Sequence, residues 1–286
     1  MTIPLNSLVD ELGRAGRRLD QLQACEAGAG NMSVALADPL DLSAFPAAES
    51  YELPVAVPAL AGWTVLVTGS GTRLRDVAAS PWACLAAVVI GADGTSGLLH
   101  SAPERTYARP TSEFNSHLAV HADQVARRPE LRRHTVIHAQ PPYLVALSHI
   151  PELVDTAAFS RAIIRWEPET IVQLPDGVGV LPFAVPGSDQ LRAGSVALLR
   201  AHRIVLWCKH GVLVRSEGGP LAAVDLVEYA ETGARYEHLN RAAGSPGVGL
   251  TAEELAAVAD AFGIHSPIVE DLAAHFLFDR GQEVRS

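Results

Sequence analysis

Three separated motifs carry the side chains of this chain that are best suited to chemistry. They occupy residues 111–113 (Thr-Ser-Glu), 136–140 (Val-Ile-His-Ala-Gln) and 207–211 (Trp-Cys-Lys-His-Gly). They place Glu113 at the beginning of a predicted helix, and His138 and His210 at the ends of apolar strands. A carboxylate and two imidazoles can hold a divalent metal ion, which indicates metal-assisted chemistry at a carbon acid.

Each motif also has an ordinary structural interpretation. Glu113 could simply be the acidic first turn of a helix, and two distant histidines among 11 could be unrelated. Thr111 and Ser112 could be plain N-cap residues, or their hydroxyls and nearby free amides could bind an anion. The residues alone leave these alternatives open.

Two glycine-rich segments could bring backbone amides close to a ligand. They are residues 28–33 (Gly-Ala-Gly-Asn-Met-Ser) and residues 69–71 (Gly-Ser-Gly), the second of which follows an apolar strand. The alternative for residues 28–33 is an ordinary loop that leads to the next strand.

Composition excludes several classes of protein. The 286 residues are 48% hydrophobic, enough for a large core, and the net charge of −10 disfavours binding to nucleic acid. Three cysteines without CxxC spacing predict neither a disulfide framework nor a thiolate zinc site, and a reducing cytoplasm fits best. The polar amino terminus, and the lack of any run of about 18 apolar residues, predict neither export nor a membrane partner.

The hydrophobic pattern predicts alternating helices and strands. We predict helices over residues 5–24 and Ser188–His202, and helices that begin at Thr111, Pro141, Pro220, Thr251 and Pro267. The predicted strands are 63–68, 84–90, 96–100, 135–138, 170–174, 204–208 and 210–214, and residues 39–61 are expected to be irregular. This order predicts an α/β fold in which helices cover a mixed sheet.

The order of the motifs resembles the class II aldolase/adducin superfamily, and most closely its rhamnulose-1-phosphate aldolase branch. The resemblance runs from about Gly28 to Glu237. It rests on residues 30–31, 68–71, 110–113, 175–179, 186–187 and 210–211. It implies a single domain over residues 1–286, with a mainly antiparallel sheet covered by helices on both faces and a helical tail over residues 251–286.

The resemblance also implies an activity. It is that of a metal-dependent aldolase, which cleaves a ketose 1-phosphate like rhamnulose 1-phosphate into dihydroxyacetone phosphate and an aldehyde through a metal-stabilised enediolate. The implied cofactor is one divalent ion per subunit, zinc in the first place, with manganese, cobalt and iron as alternatives. The implied partners are a small phosphorylated sugar and further copies of the chain in a homotetramer.

The resemblance assigns roles to individual residues. His138, His210 and Glu113 match metal ligands, and Glu113 is also the acid/base group. Glu169 matches a second glutamate that assists proton transfer. The positions that match the phosphate site are Asn31, Ser70, Gly71, Thr111 and Ser112.

One position departs from the family pattern. The His-x-His motif reads His138-Ala139-Gln140, and an amide oxygen is a poorer ligand for zinc than an imidazole nitrogen. Gln140 could bind the ion weakly, another group could replace it, or the metal could be lost. A non-catalytic oligomeric module like adducin is therefore an alternative function. The resemblance leaves two further alternatives, an epimerase or a dehydratase, since relatives with this fold include both.

A lysine Schiff base is the other common route for aldol cleavage. The chain has a single lysine, Lys209, directly before His210. Neighbours on a strand point to opposite faces, so both side chains are not expected to face one cleft. The sequence therefore disfavours the Schiff-base route.

Overall fold

A nine-stranded sheet forms the centre of the described part of the chain. The computed structural model describes residues 4–244 and 247–270. The strands are β1 Asn31–Leu36, β2 Ala47–Glu52, β3 Thr64–Thr68, β4 Leu85–Ile90, β5 Ser96–Ser101, β6 Arg133–Ala139, β7 Val178–Leu181, β8 Ile204–Trp207 and β9 Gly211–Ser216. The α-helices are α1 Leu5–Gln21, α2 Pro81–Cys84, α3 Phe114–Arg127, α4 Pro142–Leu147, α5 Thr156–Ile164, α6 Pro168–Gln173, α7 Asp189–Leu198, α8 Pro220–Ala242 and α9 Ala252–Phe262.

The order of the strands explains how distant residues meet. The sheet runs β2-β5-β4-β3-β1-β6-β9-β8-β7. Its neighbouring strands are antiparallel except for β7 and β8, which are parallel. The strands β1, β6 and β9 are antiparallel neighbours. The same end of the sheet therefore contains the start of β1, the end of β6 and the start of β9. The predicted mixed, mainly antiparallel sheet is confirmed.

Helices cover both faces of the sheet, as predicted. Successive residues of a strand point to opposite faces, so Met32 and Val34 on β1 face one side and Ala35 faces the other. The first side packs against α1, α4, α5 and α8. The second side packs against α3 and α7. The helix α3 therefore crosses the sheet face directly behind β1 and β6.

Two of the predicted elements are wrong. Residues 170–173 belong to helix α6, with Pro168 in its first turn and Leu174 as its C-cap. The strand is β7, which begins after the turn at Gly177. An apolar run of this length fits the period of a helix as well as that of a strand. Pro168 at the first turn favours the helix. Residues 47–52, within the segment expected to be irregular, form β2, an exposed edge strand without an apolar alternation.

The other predicted elements are present, with shifted ends. The helix predicted over Ser188–His202 is the shorter α7, with Ser188 as its N-cap, and the helix predicted to begin at Thr111 begins at Phe114. In the predicted tail, α9 has the capping box at Thr251, and residues 267–270 are helical. Residues 271–286 lie outside the described residues. Among the described helices, none is both long and apolar enough to cross a bilayer.

Buried histidines connect α3 to the two central strands. The hydroxyl of Ser33 on β1 lies 2.7 Å from Nδ1 of His117 and 2.8 Å from Nε2 of His121, both on α3. The Nδ1 atom of His121 lies 2.7 Å from Nδ1 of His134 on β6. These contacts hold the helix at a fixed height over the sheet.

Burial keeps these three imidazoles neutral. It lowers the pKa of His117 and of His121, with a smaller contribution from neighbouring histidines, and it lowers the pKa of His134 to about 3. The unfolded chain exposes the same imidazoles to water, where they take up protons near pH 6.5. Unfolding in acid is therefore coupled to proton uptake.

This coupling predicts that the free energy of unfolding falls as the pH drops below 6.5. A histidine whose folded pKa is lowered contributes stability that is present above the unfolded pKa and is lost below it. Each one adds a slope of up to about 1.4 kcal/mol per pH unit. We expect His134→Gln, which keeps a donor for His121 but cannot titrate, to reduce the slope measured by urea unfolding between pH 7.5 and 5. The exposed His149→Gln is the control, and equal slopes for wild type and His134→Gln would contradict the account.

Candidate metal centre

The close approach of β9 to β6 places two histidines side by side. His210 follows Lys209, whose positive φ of 64° turns the chain between β8 and β9. Gly211 then passes so near β6 that an added Cβ would lie 2.4 Å from the carbonyl oxygen of Ala139 and 2.8 Å from Cε1 of His138. Only glycine allows this approach, and it brings the two imidazole centroids within 4.8 Å.

The carboxylate of Glu113 completes a three-residue cluster. Glu113 is the N-cap residue of α3, and its side chain is buried. One oxygen lies 3.6 Å from Nε2 of His138, and the other lies 3.5 Å from Nε2 of His210. The ligand atoms of all three residues lie within 4.8 Å of one another.

This donor set fits a divalent metal ion. The separations of 3.5 and 3.6 Å exceed ordinary hydrogen-bond lengths. Ligands held at 2.0–2.2 Å around a tetrahedral ion lie about 3.4 Å apart, close to the observed values. Two imidazoles and a carboxylate are also the catalytic ligand type in which further positions stay open for water or substrate.

The surroundings hold both imidazoles in a form that can bind metal. Nδ1 of His138 lies 2.9 Å from the carbonyl oxygen of Val212, so it donates its proton there and leaves the lone pair on Nε2 for the site. Burial, followed by the charge of His138, lowers the pKa of His210 against the opposing effect of Glu113, which favours the neutral ligand.

Trp207 supports both histidines from behind. Its ring stacks on His138 at a centroid distance of 4.8 Å and on His210 at 5.1 Å. Its indole N–H donates to the hydroxyl of Ser195 on α7, 2.8 Å away, and the side chain is buried. The two imidazoles are therefore fixed by packing as well as by their strands.

Asn31 contacts the cluster rather than standing apart from it. Its Nδ2 atom donates to the Glu113 carboxylate at 3.0 Å, because Asn31 on β1 lies directly opposite His138 on β6. The family resemblance assigned Asn31 to the phosphate site. The contact that the structure shows is with the carboxylate, which Asn31 orients.

The base of the Gln140 side chain lies beside the cluster, two residues after His138. An added Cβ on Gly211 would lie 3.1 Å from Cγ of Gln140, next to the His138 ring. In the amide orientation that satisfies hydrogen bonding, its nitrogen donates to both carboxylate oxygens of Glu26, at 2.8 and 3.2 Å. Glu26 is a contact that the sequence did not indicate.

The segments assigned to a phosphate lie together beside the cluster. The amide of Ser70 donates to the carbonyl of Arg109 at 2.9 Å, and the amide of Thr111 donates to the carbonyl of Thr68 at 3.0 Å, so these two amides are already used. The amides of Gly71 and Ser112 have no protein acceptor among the described residues. An anion would therefore be held by these two amides and by side-chain hydroxyls.

Glu169 and Lys209 lie outside the cluster. Glu169 is exposed on α6, which packs against α8 and α9. Lys209 is exposed in the turn before β9, whereas the side chain of His210 is 13% exposed. The side chains of Lys209 and His210 therefore point in different directions, as predicted. The cause is the turn between β8 and β9, and not the alternation of side chains along a strand.

The groups that support the site do not stand out in the sequence. Trp207 was inside a recognised motif, but its aromatic contacts depend on tertiary packing. His117 and His121 follow Glu113 at helical spacing of four residues, a signal that could have identified a polar face of α3. Their partner Ser33 could not be found without the register of β1.

Comparison with known proteins points to one family. Residues 10–238 match the family described as Class II Aldolase and Adducin N-terminal domain. A rhamnulose-1-phosphate aldolase from Escherichia fergusonii is 32% identical over 260 residues, which cover 87% of this chain and 90% of that protein.

Solved structures agree with this match. A sugar-phosphate aldolase from Thermotoga maritima superposes with a TM-score of 0.72 at 25% identity, covering 86% of this chain and 99% of that one. An L-fuculose 1-phosphate aldolase superposes with a TM-score of 0.57 at 21% identity, covering 90% and 97%, which supports the fold alone.

Proposed function

The chain belongs to the class II aldolase and adducin N-terminal domain family, and on this premise we propose that it cleaves a ketose 1-phosphate, similar to rhamnulose 1-phosphate, into dihydroxyacetone phosphate and an aldehyde. It is a class II aldolase, and therefore a lyase. The observation that carries the proposal is the cluster of Glu113, His138 and His210, of which Glu113 and His138 are buried. A module that had lost catalysis would have no need to keep three such side chains aimed at one point.

The proposed cofactor is one zinc ion per subunit, held by His138, His210 and Glu113, with Gln140 as a further ligand. Manganese, cobalt and iron remain the alternatives, because an amide and a carboxylate also suit harder ions. When bound, a divalent ion supplies the positive charge that stabilises an enediolate.

The proton transfers fall to carboxylates. Cleavage breaks the bond between C3 and C4 of the ketose, the C4 hydroxyl loses its proton as it becomes the aldehyde carbonyl, and C3 gains a proton. We assign the proton at C3 to Glu113, whose carboxylate Asn31 orients at 3.0 Å. We assign the assisting role at the C4 hydroxyl to Glu169.

The substrate phosphate is proposed to lie at the convergence of three loops. Its ligands would be the amides of Gly71 and Ser112 and the side chains of Asn31, Ser70 and Thr111. An added Cβ at Gly28 would lie 3.3 Å from the carbonyl oxygen of Gly71, so the loop before β1 closes this pocket from the side. The amides that have no protein acceptor support an anion at this place.

Glu169 is exposed on α6 and is not part of the Glu113 cluster within one chain. Because its assigned role needs a place near a substrate, we propose that Glu169 reaches the site of a neighbouring subunit in a homotetramer.

The substitution Glu113→Gln tests the reaction. An amide keeps the shape of the carboxylate but cannot take up a proton, so we expect kcat for release of dihydroxyacetone phosphate to fall by about 10² to 10⁴. The assay couples that product to NADH oxidation during a screen of ketose 1-phosphates, and the exposed Glu130→Gln is the control.

Two results would count against this assignment. Full activity in Glu113→Gln would exclude the residue as the acid/base group. Conversion of the ketose into an isomer without release of a triose phosphate would favour an epimerase instead.

Mixing two inactive variants tests the shared site. If Glu169 acts across a subunit boundary, refolding Glu113→Gln together with Glu169→Gln in equal amounts should give active sites in about a quarter of positions, by random assembly. Activity should rise well above that of either variant alone, and light scattering should report a tetramer. No gain on mixing, or a monomer at micromolar concentration, would overturn the shared site.

A further inference from the structure

Gln140 occupies the place where the family pattern has an imidazole, so the means by which its side chain is oriented matters. A free glutamine amide can turn over, presenting either its oxygen or its NH₂ group to a metal ion. Only the oxygen is a ligand, and the NH₂ group would repel a cation. A protein that uses glutamine here needs a device that fixes the orientation.

The carboxylate of Glu26 supplies this device. In the amide orientation that satisfies hydrogen bonding, both of its oxygens accept from the amide nitrogen of Gln140, at 2.8 and 3.2 Å. The contact uses the donor end of the amide and leaves the acceptor end free to face away from Glu26. A charged acceptor also strengthens these bonds and polarises the amide, which raises the electron density on its oxygen.

The loop that carries Glu26 is fixed against the end of β6. The backbone amide of Gln140 donates to the carbonyl of Ala24 at 2.7 Å, and the amide of Ala29 donates to the carbonyl of Glu26 at 2.8 Å. Cys25, between Ala24 and Glu26 in the chain, is buried in the core. Glu26 is therefore held beside Gln140 although its own side chain is exposed.

We propose that Glu26 is a positioning residue, which aims the amide oxygen of Gln140 at the metal centre. The inference rests on the proposed metal centre of His138, His210 and Glu113. Many metal-bound histidines donate their second N–H to a carboxylate, which fixes the orientation of the ring. In this proposal Glu26 is that carboxylate, and Gln140 takes the place of the histidine. The substitution of histidine by glutamine is then compensated and is not a loss of the site.

The test is a cycle of variants read by metal affinity. The protein is stripped of metal and titrated with zinc in competition with a chromophoric chelator. We expect Glu26→Ala to weaken zinc binding about 10 to 100-fold, the range found for groups that orient ligands. Glu26→Gln, which keeps an acceptor without charge, should give a smaller loss.

The effect of Glu26 should depend on Gln140. In a Gln140→Ala background, Glu26→Ala should change zinc affinity by less than about 3-fold, because the group that it orients is gone. The control Asp20→Ala removes one exposed negative charge from the end of α1, where Asp20 pairs with Arg75, and should leave affinity unchanged.

The visible absorption of the cobalt-substituted protein gives a second measurement. We expect Glu26→Ala to shift the spectrum towards that of Gln140→Ala, and Asp20→Ala to leave it as in wild type. Zinc affinity within about 3-fold of wild type in Glu26→Ala, or an equal loss in the presence and absence of Gln140, would overturn the inference.

His138→Ala distinguishes a failure of the metal centre from a failure of the role of Glu26. If it removes zinc binding while Glu26→Ala does not weaken it, the metal centre stands and only the role of Glu26 fails. If His138→Ala keeps full zinc affinity, the proposed metal centre itself fails.

Discussion

The contact between Gly211 and the end of β6 is the constraint on which the site depends. With no side chain at Gly211, β9 comes so close to β6 that a methyl group would lie 2.4 Å from the carbonyl oxygen of Ala139. The same approach allows Nδ1 of His138 to reach the carbonyl of Val212 at 2.9 Å. A side chain at this position would push the strands apart and separate the two imidazoles.

The position of the Glu113 carboxylate depends on a different set of contacts. Glu113 stands at the beginning of α3, so its position relative to the histidines follows from how that helix lies on the sheet. Ser33, His121 and His134 fix this placement through buried hydrogen bonds of 2.7 to 2.8 Å. Buried polar groups are costly when unpaired, so this network favours one placement of the helix over others. Rigid support of this kind suits a site that must hold its ligands within tenths of an ångström.

The sequence brings out Glu113, His138 and His210 because each stands where a strong local pattern changes. His138 and His210 follow apolar strands, and Glu113 follows Pro110 at the start of a helical pattern. The predicted mixed sheet covered by helices is confirmed because long periodic segments dominate it. The family is confirmed through the order of its short motifs, and with it the helices on both faces.

The rest of the site depends on contacts that no local pattern encodes. The pairing of Gln140 with Glu26 joins residues that are far apart in the chain, as do the bonds of Ser33 to α3. The wrong strand at residues 170–174 shows the limit of short apolar runs, for which the helical and the extended period cannot be told apart. The edge strand β2 has no alternation of apolar and polar residues in its sequence. Only one neighbouring strand pairs with it, and most of its residues are exposed.

X-ray absorption at the zinc K edge of the zinc-loaded protein tests the central claim most directly. The account predicts one tightly bound ion per chain, with two imidazole nitrogens at about 2.0–2.1 Å and oxygen atoms in the remaining positions. It also predicts that His138→Ala loses one imidazole from the spectrum. A protein that binds no stoichiometric zinc, or a spectrum without the outer-atom scattering of imidazole rings, would contradict it.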